Sequence, residues 1–132
     1  MTIKSASILK DGAVATTGGS AAAFTSLGVT MNRHKAFFDG TDHRTRSEVV
    51  ATTKDPKVSA SAPNGYTQAR SNMLFKVPKL LANGLYTINT IQVSMSCDVE
   101  TTQAEKQRLL GYAAQGATDS DFTSFWENQG VG

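Results

Sequence analysis

Cysteine is nearly missing: Cys97 stands alone in 132 residues, so no intrachain disulfide can form. Proline occurs three times, which leaves room for long uninterrupted elements. No apolar run approaches the roughly 20 residues that cross a bilayer. The opening MTIKSASILKDG has no apolar stretch of the kind a signal peptide needs. Histidine occurs twice, at His34 and His43. With Asp39 and Asp42 nearby they could be imagined around a metal, but they match no standard ligand spacing. Gly18-Gly19 is not followed by the Lys-Ser/Thr of a phosphate loop. Cys97 has no nucleophile motif around it, and no pair of carboxylates stands out. These absences argue against an enzyme and imply no cofactor and no metal. What is present, 39% apolar and 18% charged residues, predicts a soluble folded chain. A reducing cytoplasm is its expected place of synthesis.

Charge of each sign is unevenly placed. Residues 1–97 hold 11 Lys/Arg against 5 Asp/Glu, a net of +6, and residues 98–132 hold 2 against 6, a net of −4. A basic body with an acidic tail predicts two surfaces that meet different partners.

The length predicts one domain over residues 1–132. Its first part, 1–17, reads as a weak hairpin, with KSASILK and AVATT flanking Asp11-Gly12. Residues 24–99 read as an antiparallel sheet of about five strands. FTSLGVTMN, HKAFF and RTRSEVVATTK are short strands by composition. DPKVSASAPNG is a long connection, YTQARSNMLFKV a strand that Pro78 is expected to end, and KLLANG a turn. In LYTINTIQVSMSCDV, Ile91, Val93, Met95, Cys97 and Val99 share one side, and Thr90, Gln92, Ser94, Ser96 and Asp98 the other. A sheet with one apolar and one polar face must be covered on the first.

The tail, 102–128, reads as two helices. Thr102 and Glu105 form a capping box. Leu109, Leu110, Ala113 and Ala114 make an apolar stripe, and Gly116 is the expected stop. Phe122, Phe125 and Trp126 stand at i, i+3 and i+4 of the second helix. Helices this short must dock to persist. Strands followed by helices predict an α+β fold, with the helices on one sheet face.

The polar face is the candidate binding surface. It is expected to carry Arg44, Arg46, Glu48, Thr52 and Lys54, then Arg70, Asn72, Leu74 and Lys76, then Thr90, Gln92, Ser94 and Ser96. Lys and Arg bind phosphates, while Thr, Asn, Gln and Ser reach base edges and 2′-hydroxyls.

Here the residues meet a family. TRSEVVATTKDPKVSASAPNGYTQARSNMLFKVPK followed by TIQVSMSCDVETTQAEKQRLLGYAAQ resembles the central strands, last strand and first helix of the coat proteins of single-stranded RNA bacteriophages, the levivirus type. The resemblance covers nearly the whole chain and rests on architecture and pattern. It implies an obligate homodimer whose sheets join edge to edge, each subunit's helices lying across its partner's sheet. Leu109, Leu110, Phe122, Phe125 and Trp126 would then bury against the other chain. It implies dimers that close into an icosahedral shell around single-stranded genomic RNA, made in the bacterial host cytoplasm and residing in the virion, with no membrane partner. It also implies an RNA hairpin bound on the inner sheet face, repressing replicase translation. Arg46, Thr52, Arg70, Asn72, Lys76, Thr90 and Gln92 occupy the corresponding places. The connection at 55–65 is longer and KLLANG shorter than the family's pattern, and Thr90 stands where an aromatic often stacks on a base. Two other readings compete: a small non-viral RNA-binding β-sheet module, and a hydrolase built on Cys97 or a histidine.

Overall fold

Alternating, β-branched sequence over residues 24–99 gives, in the computed structural model, a five-stranded antiparallel sheet. The structure describes residues 3–10 and 18–131. Strands β1 (Thr25–Thr30), β2 (Arg33–Asp39), β3 (Ser47–Lys54), β4 (Ala69–Leu80) and β5 (Tyr86–Cys97) lie side by side in chain order. Helix α1 (Gln103–Thr118), a 3-10 turn (Ser120–Phe122) and helix α2 (Thr123–Asn128) follow. The α+β reading therefore holds. The chain divides into two compact units. One is Gly19–Val99; the other joins the described residues before Gly19 to those from Glu100 onward.

Within the sheet unit, register follows the alternation. Met73 faces Val93 and Phe75 faces Ile91, so these share one face. Asn72 faces Ser94 and Lys76 faces Thr90 on the other. β3 continues both sets, with Ala51 beside Met73 and Thr52 beside Asn72. A register shift between Phe37 and Asp39 locally re-aims β2. Phe38 joins Phe24 and Phe75, at ring-centroid distances of 5.5 and 6.4 Å. Leu81–Leu85 closes the β4–β5 turn through its own bonds, Leu81 N to Leu85 O and Gly84 N to Leu81 O. Gly84 takes φ of 85° there, which glycine allows without strain. The 55–68 connection is ordered by a bridge between Val58 and Tyr66 and by Asn64 Nδ2 donating to Asp98 Oδ2 at 2.8 Å.

Three expectations are corrected. Pro78 does not end β4; it pairs with Ile88, and the strand runs on to Leu80. β3 reaches only as far as Lys76, so beyond that point β4 has one neighbour and a missing N–H is tolerated. Gly116 does not stop α1, which continues to Thr118 and ends where Asp119 turns extended, with ψ of 141°. KSASILK is not a strand: Ile3–Ser5 is a 3-10 turn and residues 6–9 carry no ladder. The Asp11-Gly12 turn and the AVATT half of that hairpin lie outside the described residues.

What ties residues 3–10 down is in the helical unit. Gln115 Oε1 accepts from Leu9 N at 2.8 Å, and Gln115 Nε2 donates to Leu9 O at 2.8 Å. Ser7 N donates to Asp121 Oδ2 at 3.3 Å. A chain segment without secondary structure meets its backbone bonding needs on a side chain.

The apolar core is thin. Among the described residues, the buried hydrophobic side chains are Ala36, Val49, Val50 and Cys97. On the apolar face of the sheet, Met73, Val77, Ile91 and Val93 remain 43–49% exposed.

Candidate functional site

Cations reach the polar face from three strands. Cross-strand partners share a face, so the register sets its composition row by row. One row reads Arg33, Thr52, Asn72 and Ser94; the next Lys35, Val50, Leu74 and Gln92; the next Phe37, Glu48, Lys76 and Thr90. At one end Lys54 stands directly opposite Arg70, with Ser96 beyond. Arg46, just before β3, joins the face by stacking its guanidinium 4.8 Å above the Phe37 ring.

All seven candidate RNA contacts, Arg46, Thr52, Arg70, Asn72, Lys76, Thr90 and Gln92, therefore lie on one face. Gln92 Nε2 donates to Asn72 Oδ1 at 2.8 Å, so two of them act as one amide pair. Arg44 is a correction. It sits in the turn before β3, where its guanidinium pairs with Asp42 at 3.1 Å. That pairing, first through the Arg44 side chain and then through its backbone N–H, lowers the Asp42 carboxyl to about 2.

Sequence reasoning missed Arg33, Lys35, Phe37 and Tyr86, which share the polar face. RHKAFF runs from three polar residues to three apolar ones with no alternation, so without a register its two sides could not be told apart. Tyr86 lies 52% exposed at the start of β5.

Electrostatics on this face centre on Glu48. Its Oε1 accepts from Arg46 Nε at 3.0 Å, and its Oε2 lies 3.5 Å from Lys35 Nζ. Burial pushes the Glu48 carboxyl up, but the hydrogen bond from Arg46 and the charges of Lys35 and Arg46 outweigh it, so its net shift is downward.

The second candidate surface is in the helices. Thr102 Oγ1 accepts from Glu105 N at 3.2 Å while Thr102 N donates to Glu105 Oε1, completing the capping box. Trp126 Nε1 donates to the Gly116 carbonyl at 2.6 Å, and the Phe125 and Trp126 rings meet edge-on at 5.0 Å. Leu109, Leu110 and Trp126 are exposed, and Phe122 and Phe125 half-buried. Cys97 is buried, whereas His34 is exposed and bonded to Ser26 Oγ at 3.0 Å. Among the described residues no cluster of metal-ligating side chains forms, and no helix is long and apolar enough to cross a membrane.

No protein-family model matches the chain, and no curated protein sequence does. Solved structures do. A virus-like particle of bacteriophage GQ-907 superposes with a TM-score of 0.87 at 25% identity, covering 99% of this chain and all of that one. The chain thus has the fold of a levivirus-type coat protein. A second particle, that of Beihai levi-like virus 21, has a TM-score of 0.64 at 12% identity over 94% of this chain and 96% of its own; that likeness is one of fold. Both similar structures are the shells of virus-like particles.

Proposed function

We propose that this chain is a coat protein that forms an intertwined homodimer, that dimers close into an icosahedral shell, and that the polar face binds single-stranded RNA inside it. The observation that carries the reading is β5. It is a 12-residue edge strand whose residues are exposed on both faces apart from Met95 and Cys97. An open edge of that length invites pairing with another chain. Pairing β5 with its copy would satisfy the edge, and it would bring each copy's helices toward the apolar face of the other. Leu109, Leu110, Phe122, Phe125 and Trp126 are the proposed clasp. The basic face supports RNA as cargo, with Thr52, Arg70, Asn72, Lys76, Thr90 and Gln92 as its contacts; Arg46, the seventh candidate, is held by Glu48 and the Phe37 ring. An RNA hairpin bound there would give the coat protein its second role, as translational repressor of replicase. Its place is the virion, after synthesis in the host cytoplasm.

Electron microscopy of the protein expressed alone in bacteria, with the ratio of absorbance at nucleic-acid and protein wavelengths, tests this. Closed particles of uniform size that carry nucleic acid are the expected result. Small species without RNA would overturn the shell reading, and small species with RNA would favour a non-viral RNA-binding module.

A further inference from the structure

The cations of the polar face are not equivalent. Glu48 is directly opposite Lys76 in the register, yet both of its oxygens are taken from the other side, by Arg46 and Lys35. Arg46 is held twice, by Glu48 at 3.0 Å and by the Phe37 ring beneath it, and its side chain is 17% exposed. Glu48 is itself 14% exposed. By contrast, among the described residues no acid pairs with Arg33, Lys54, Arg70 or Lys76. Lys54 and Arg70 even stand directly opposite one another, an arrangement that disfavours the empty sheet and suits a shared anion.

We propose that Glu48 is a positioning residue that sorts these cations: it withdraws Lys35 and Arg46 from phosphate binding and leaves Arg33, Lys54, Arg70 and Lys76 to form the phosphate track. The track then runs along β4, from the Lys54–Arg70 pair to Lys76. Six residues of strand separate Arg70 from Lys76, about 20 Å at roughly 3.3 Å per residue. Between them lies the Asn72–Gln92 amide pair, where bases rather than phosphates would be read. Arg46 belongs to the scaffold of the face and not to its contacts. To reach a phosphate it would have to leave both Glu48 and the ring, while Lys76 gives up only water. This rests on the polar face binding RNA.

Salt dependence separates the two classes. For single strands, log affinity falls with log salt by about 0.7 for each phosphate neutralised. Binding of a mixed-sequence single-stranded RNA oligonucleotide to the full-length protein is measured across salt concentrations. Arg70→Gln and Lys76→Gln should each flatten the slope by about 0.7, and Arg46→Gln should leave it unchanged. Glu48→Gln, by releasing Lys35 and Arg46, should steepen it by up to about 1.4. An Arg46→Gln loss equal to that of Lys76→Gln overturns the sorting, as does a Glu48→Gln slope equal to wild type. If Glu48→Gln does not fold, the comparison of Arg46→Gln with Lys76→Gln still decides. No binding by the wild-type protein at any salt overturns the RNA reading itself.

Discussion

Gln115 uses one amide three times. It brackets Leu9 with a donor and an acceptor, and its Nε2 also reaches the Gly111 carbonyl at 3.3 Å. Only 6% of it is exposed, so removing the amide strands backbone groups away from water. Gln115→Ala should cost about 1–3 kcal/mol, read as a lower midpoint of thermal unfolding with faster hydrogen exchange at the Leu9 amide. Nothing in AAQGAT marks this residue, because its partner is 106 positions away. Arg44 is the opposite case, a local effect that reading by strand alternation placed wrongly, through its neighbour Asp42. Arg44 lies two residues on and turns back to it, which takes Arg44 off the sheet. The Asp42 carboxyl is lowered from the usual carboxylate range to about 2. Its contribution to folding is then complete above the unfolded value and is lost as pH falls toward 2. Arg44→Gln should bring the carboxyl back up, measured by carbon-detected NMR titration.

Elements were legible where their signal is local. The capping box of α1 needs only Thr102 and Glu105, and both bonds form as the spacing predicts. Thr102→Ala should cost about 1 kcal/mol, seen as reduced helical circular dichroism on heating. Strand alternation in β4 and β5 was equally plain, and their pairing keeps the expected faces. Boundaries failed where a neighbour decides them. Pro78 stays in its strand because β3 has already ended. Gly116 stays in its helix because Asp119 supplies the stop and caps the 3-10 turn, accepting from Asp121 N at 2.9 Å. Gly116 instead offers its carbonyl to Trp126. The basic residues of β2 were hidden for a related reason. A strand of seven residues with a register shift near its end has no face until its partner is known.

For the whole molecule, the telling feature is what one copy leaves uncovered. Val93 is 44% exposed, so a charge there costs a single copy little. In the proposed dimer the same charge would lie under the partner's helices, where burying it unpaired costs several kcal/mol. Val93→Asp should therefore leave the sheet intact by circular dichroism and abolish the paired species in sedimentation. Trp126→Ala is a less selective probe, because Trp126 also bonds within its own unit. The sequence showed that an apolar sheet face needed covering; it could not show what remains uncovered in one copy, since that depends on how few side chains close over Ala36, Val49, Val50 and Cys97.

The Gln115 bracket also sets a schedule. Gln115 is added 106 residues after Leu9, about 5–20 s later at bacterial or eukaryotic translation speeds of roughly 5–20 residues per second. Asp121, the acceptor for Ser7, comes later still. Within that interval every strand of Gly19–Val99 is made. Ser7 and Leu9 are thus among the last residues to be fixed, although they are made before any strand of the sheet.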